Sequence, residues 1–202
     1  MINMKYILVL LLILFSGQGT LFAQEWEFAK EKDGIKIYTR FEKESKFKSF
    51  RGELEIEADL AAVSALIEDV KNFDRWDEDV SEIRVLEHEE GKWLKYYVVY
   101  DVPWPLKDRD LCVEAVITAD PSSGARLILA RSVPEAFPLN DDLVRIADYR
   151  QKWILQPKEN GIVHITIEGF ADPAGDIPAW IVNMAITDTP LNILRAVRDN
   201  LR

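Results

Sequence analysis

Asp172–Asn183, DPAGDIPAWIVN, divides two kinds of sequence. Upstream, Ile162–Gly169 sets Val163, Ile165 and Ile167 against His164, Thr166 and Glu168, the two-residue period of a half-buried strand. Downstream, Trp180, Ile181, Met184, Ala185, Ile193, Leu194 and Val197 give a helix its apolar face until the chain ends. Gly175 and Pro178 supply the turn between them, Asp176 can cap the helix, and Pro178 fits its first turn. Pro190 lies inside the helical stretch, where its missing N–H predicts a kink or a split.

Working back toward the N-terminus, Gly34–Phe41 alternates Ile35, Ile37, Thr39 and Phe41 against polar neighbours. Lys46–Glu57 does the same with a change of phase near Ser49, which predicts a bulge. Asp59 is placed to cap a helix over Asp59–Val70, with Leu60, Val63, Ile67 and Val70 on one stripe. Strands are expected over Val80–His88, Lys92–Val102, Asp110–Ala119, Ala125–Ser132 and Val144–Gln156. Gly91 takes the left-handed position of the first hairpin, and Val133–Leu143 is a proline-containing loop. Strands, one helix, many antiparallel strands and a long C-terminal helix argue an α+β fold, with helices on one face of a curved antiparallel sheet.

Met1–Ala23 reads as a secretory signal peptide: Lys5 precedes the apolar run Tyr6–Phe15, and Leu21-Phe22-Ala23 ends in a small residue. The run of ten is half the roughly 20 residues that a spanning helix needs. Cleavage there predicts a periplasmic or secreted chain, 24–202, forming one domain. The formal charge of −10 disfavours nucleic acid and gives no electrostatic help toward an anionic membrane. Cys112 has no second cysteine to pair with, and His88 and His164 sit at no metal-ligand spacing, so neither disulfide, metal nor cofactor is expected.

Four segments, in order, resemble the START lipid-transfer family: Arg75-Trp76-Asp77, Arg84–Glu87, Asp101–Asp110 (DVPWPLKDRD) and Asp172–Asn183. The resemblance implies a helix-grip fold, in which a curved antiparallel sheet wraps around a long C-terminal helix and encloses an apolar tunnel. It implies a sterol, phospholipid or sphingolipid class of ligand, and a gate formed by the C-terminal helix with a neighbouring loop. On residues alone, the proline-rich corner Pro103–Pro105 and the Gly175–Pro178 turn read as corners of the fold rather than binding sites, since turn chemistry explains their composition without a ligand.

Tyr96, Val98, Tyr100, Val113, Ala115, Ile165 and Ile167 share inward faces of their strands, and Trp180, Ile181 and Met184 are the helix residues expected to close over them. Tyr96, Tyr100 and Arg109 carry polar tips suited to a ligand's hydroxyl or head group. Cys112 reads as a packing thiol and His164 faces away from the apolar row, so no nucleophile–base pair and no catalytic residue is expected. The expected function is an exported, monomeric carrier or sensor of a lipid or other apolar small molecule, with transient membrane contact. Two alternatives stay open. One is an aromatase/cyclase-like enzyme using the same cavity; the other is a protein-interaction domain whose tunnel is filled by its own side chains, which an interior below the usual pocket size would favour. The Val133–Leu143 loop and the helix around Pro190 are the expected gate.

Overall fold

The computed structural model describes residues 25–75 and 79–201. The chain runs β1 (Glu27–Lys32), β2 (Ile35–Phe41), β3 (Lys48–Glu57), α1 (Leu60–Glu68), β4 (Val80–Glu89), β5 (Trp93–Tyr100) and β6 (Arg109–Ala119). It continues with β7 (Arg126–Ser132), β8 (Val144–Arg145), β9 (Asp148–Pro157), β10 (Ile162–Asp172), α2 (Ala179–Ala185) and α3 (Asp188–Asn200). Nine strands form one antiparallel path, β1-β2-β3-β10-β9-β7-β6-β5-β4, and the short β8 pairs in parallel with β6. The expected signal peptide and the Trp76-Asp77 part of the first family segment lie outside the described residues.

The two-residue period of the strands sorts side chains between two different environments. Ile37, Leu54, Val98, Val113, Ile165 and Ile167 point to one face and form the main core with α1 and α3. Tyr97, Val99 and Cys112 point to the other, where Val133, Phe137 and Leu143 of the β7–β8 connection cover them. Asp59 caps α1 as expected, accepting from the Ala61 N–H at 2.6 Å. Gly91 holds its left-handed turn, φ 69°.

Three local expectations are corrected, and one strand is new. No bulge occurs at Ser49: the register runs unbroken from Phe41↔Lys48 to Lys36↔Glu53. The change of phase arises because both faces are covered there, Ser49 bonding Glu42 at 2.5 Å on one side and the Phe50 ring lying over Gly169 on the other. Val144–Gln156 is not one strand, since Val144–Arg145 leaves to pair with Arg109–Asp110 before β9 begins. Pro178, not Asp176, precedes the helix, and no side chain caps it. β1 was not foreseen; its EFAKEK sequence buries nothing and carries no period.

The C-terminal helix is split. Ile186 and Thr187 keep right-handed helical dihedrals but belong to neither half, so the chain bends without reversing. Pro190 then sits in the first turn of α3, where its missing N–H removes no intrahelical bond. It packs on the sheet at Gly52, where a Cβ would come within 2.8 Å of Leu194 and 3.2 Å of Pro190. Glycine there lets α3 approach the strand backbone, and Leu191, Leu194 and Val197 are buried behind it.

Candidate functional site

Between the sheet and α3 lies a cavity of about 60 Å³. Ile67 of α1, Phe73, Val80 of β4 and Ile193 of α3 supply its apolar wall. The sheet supplies Tyr96 and Tyr100 from β5 and Tyr149, Gln151 and Trp153 from β9. The volume is well below the roughly 300 Å³ at which small-molecule pockets usually begin. Larger clefts of about 310 and 360 Å³ lie elsewhere, the first beside Glu89–Gly91 and the second beside Asp33 and Arg198, and both are rimmed by charged residues.

The polar atoms of the cavity are neutral. Burial pushes the Tyr96 phenol far above its ordinary range, although its hydrogen bond with Tyr149 works the other way. The Tyr149 phenol is raised in the same direction, first by burial and then by Tyr96 and Tyr100. The Trp153 indole donates to Gln151 Oε1 at 2.9 Å. The Phe73 ring meets Tyr96 edge-on, with centroids 5.9 Å apart.

Of the residues expected in the site, Tyr96 and Tyr100 line this space, while Val98, Val113, Ala115, Ile165 and Ile167 lie in the surrounding core on the same face. Arg109 shares that face but is buried at the sheet end, its guanidinium donating to the carbonyls of Lys107 and Pro173. It therefore clasps the Asp101–Asp110 corner to the Asp172–Pro178 turn. Trp180, Ile181 and Met184 are corrected: they project into solvent, 67%, 40% and 70% exposed. α2 is tied by Asn183 to Lys46 and Lys48 at the start of β3, and these three apolar side chains are left uncovered.

Tyr149, Gln151, Trp153, Ile67, Phe73, Val80 and Ile193 were not anticipated. The signal for β9 was present in the alternation Tyr149, Gln151, Trp153, Leu155. The glutamine and the bulky rings interrupt an aliphatic row, so it read less clearly than β6.

The Val133–Leu143 loop lies on the opposite face from the cavity, which corrects its expected part in the gate. Phe137 stacks on Tyr97 at 4.3 Å. Arg145, paired with Asp110 at 2.8 and 2.7 Å, donates to the carbonyls of Pro134, Phe137 and Pro138 and pins the loop down. Burial beside the Asp110 carboxylate pushes the Tyr97 phenol up to about 12. Cys112 lies fully buried in the same layer, and burial raises its thiol pKa.

The START domain family matches residues 15–202. The chain belongs to that family. A Pseudomonas aeruginosa protein of uncharacterized role is 34% identical over 190 residues, covering 94% of this chain and 93% of its own. The bovine phosphatidylcholine transfer protein is 25% identical over 174 residues, covering 84% and 81%. Among solved structures, the STAR-related lipid transfer protein of Xanthomonas axonopodis has a TM-score of 0.81 at 31% identity, covering 88% of this START domain and 98% of its own chain. Human StAR-related lipid transfer protein 5, at 14% identity, has a TM-score of 0.77 over 98% and 93%, a likeness of fold alone. The helix-grip arrangement expected from sequence is the one observed.

Proposed function

We propose that this START domain binds one lipid or other apolar small molecule between the sheet and the C-terminal helix, as an exported carrier or sensor without catalytic activity. One observation carries the reading: a cavity with apolar walls and a few neutral polar tips lies under α3, where a lipid-transfer fold would hold its cargo. The names of the bovine and Xanthomonas relatives support the ligand class. No serine, cysteine or histidine faces this space among the described residues, which favours holding over chemistry. The Tyr6–Phe15 run supports export.

The volume requires movement. Cargo of lipid size needs α3, or the side chains beneath it, to withdraw from Tyr96, Tyr149 and Trp153. Burying about 300 Å² of hydrocarbon contributes roughly 7 kcal/mol before the costs of ordering, enough to drive such an opening. Membrane contact would come from the sheet end where Arg109 joins two corners. Trp104 and Leu106 of one corner and Trp180, Ile181 and Met184 beyond the other are exposed there. Aromatic and apolar groups held outside a fold suit the boundary between head groups and acyl chains.

The small interior also supports a second reading, a protein-interaction domain with a filled tunnel. Titration of the purified protein with a fluorescent fatty-acyl probe separates them. Saturable binding of one probe per chain, abolished by Ile193→Trp, is expected. Absence of binding at concentrations that saturate other lipid carriers would favour the filled tunnel.

A further inference from the structure

The polar end of the cavity differs from what the phosphatidylcholine-transfer relatives invite one to expect. Its polar groups are the phenols of Tyr96, Tyr100 and Tyr149 and the amide of Gln151; among the described residues its lining includes no lysine, arginine, histidine, aspartate or glutamate. An ion moved into such a space loses its hydration without gaining a counter-ion, at an effective cost of several kcal/mol per charge. Cation–π attraction from the surrounding rings returns on the order of 2 kcal/mol to an ammonium and nothing to a phosphate. A charged head group is therefore disfavoured at this pole, while an uncharged one is not.

The donors present also say which uncharged group fits. An indole N–H can only donate, so Trp153 fixes Gln151 with Oε1 toward the ring. That leaves the Nε2 amide hydrogens turned away, with no protein acceptor among the described residues. The Tyr96 phenol lines the same space, and its O–H is a donor. Two donors beside a small apolar space call for an acceptor on the ligand.

Resting on the lipid-binding reading above, we infer that this cavity selects lipids with an uncharged, oxygen-bearing head, a hydroxyl or carbonyl held by Gln151 and Tyr96, over lipids with a charged phosphate. The head occupies the aromatic pole and the acyl or ring body lies along α3, so the site discriminates by what it cannot neutralise.

Three probes with identical acyl chains test this by native mass spectrometry of the purified protein: dioleoylglycerol, dioleoylphosphatidylcholine and dioleoylphosphatidylglycerol, offered from the same mixed micelles. Dioleoylglycerol is expected to be retained at least tenfold more than either phospholipid. Gln151→Leu and Tyr96→Phe each remove a donor while keeping the side chain's bulk, and each should weaken dioleoylglycerol binding about five- to tenfold. Retention of phosphatidylcholine equal to that of dioleoylglycerol would overturn the inference and leave lipid binding intact. So would unchanged dioleoylglycerol binding in both variants, provided their thermal midpoints match the parent protein. If none of the three probes binds, the lipid-carrier reading falls, and this inference with it.

Discussion

The two halves of the C-terminal helix share one apolar sequence pattern but different fates. α3 buries Leu191, Leu194 and Val197 against the sheet and is strapped to the β1–β2 hairpin by ion pairs, Lys30 to Asp188 at 2.6 Å and Arg195 to Asp33 at 2.6 Å. α2 leaves Trp180 and Met184 in solvent. A conspicuous tether is Asn183, which accepts from the Lys48 N–H at 2.9 Å and donates to the Lys46 carbonyl at 2.9 Å. The same hydrophobicity thus holds the fold in one half and is left over in the other. An apolar stripe on a helix states that something must cover it, not that the protein's own core does.

That difference is broken most severely from the α3 side. Leu194→Ala removes a side chain with no solvent exposure, packed against the backbone at Gly52, and should lower unfolding free energy by about 3 kcal/mol in denaturant titration. Met184→Ala on α2 should stay within about 0.5 kcal/mol in the same titration. Equal losses would show that α2 is packed as firmly as α3.

Asn183→Ala sharpens the contrast at a smaller scale. Two hydrogen bonds at about 1 kcal/mol each are lost, and the loss should be local. Amide exchange should accelerate over 179–186 and remain unchanged in β10, with faster uptake of a fluorescent lipid probe. Uniform acceleration through the sheet would mean that Asn183 holds more than α2.

Much of the fold was legible because alternation in β5, β6 and β10 is clean: each strand puts aliphatic residues on the α3 side. What sequence could not place was anything decided by contacts between distant elements. Cys112 and the Asp110–Arg145 pair belong to a second buried layer that exists only because the Val133–Leu143 loop folds back over the outer face. A loop rich in proline reads as mobile until the guanidinium that ties three of its carbonyls is seen. Likewise Trp180, Ile181 and Met184 carry the right spacing for a cavity wall, but they are exposed, and spacing along a helix says nothing of which of its residues the sheet will cover. Half of the cavity pole was readable from Tyr96 and Tyr100. Its other half, on β9, became visible only when the strand order placed Tyr149 and Gln151 across from β5.

Trp180→Ala combined with Met184→Ala tests what the leftover hydrophobicity is for. Stability should change by less than about 0.5 kcal/mol per site, while sedimentation with neutral phosphatidylcholine vesicles should fall severalfold. Undiminished sedimentation would remove α2 from the proposed membrane contact.

The mildest effect concerns acid. The hydrogen bond from Arg195 holds the Asp33 carboxyl below its ordinary value of 3.8, and nearby cations act in the same direction. A carboxylate with a depressed folded-state pKa contributes stability that is complete above its unfolded value and disappears as pH falls through the folded one. Exchange in α3 should therefore rise only below pH 4, and Asp33→Asn should flatten that rise without altering exchange at neutral pH by much, since the pair is exposed. A transition near pH 6 would point to a histidine instead.

The proposed seat of the cargo is the space under α3. Organic extraction of protein purified from its native source, followed by mass spectrometry of the extract, tests it most directly, with Ile193→Trp purified in parallel. One apolar molecule per chain is expected in the parent protein, and its loss from the folded variant. An extract without any apolar molecule in the parent, or the same molecule retained when tryptophan fills the space beside Tyr96 and Tyr149, would contradict it.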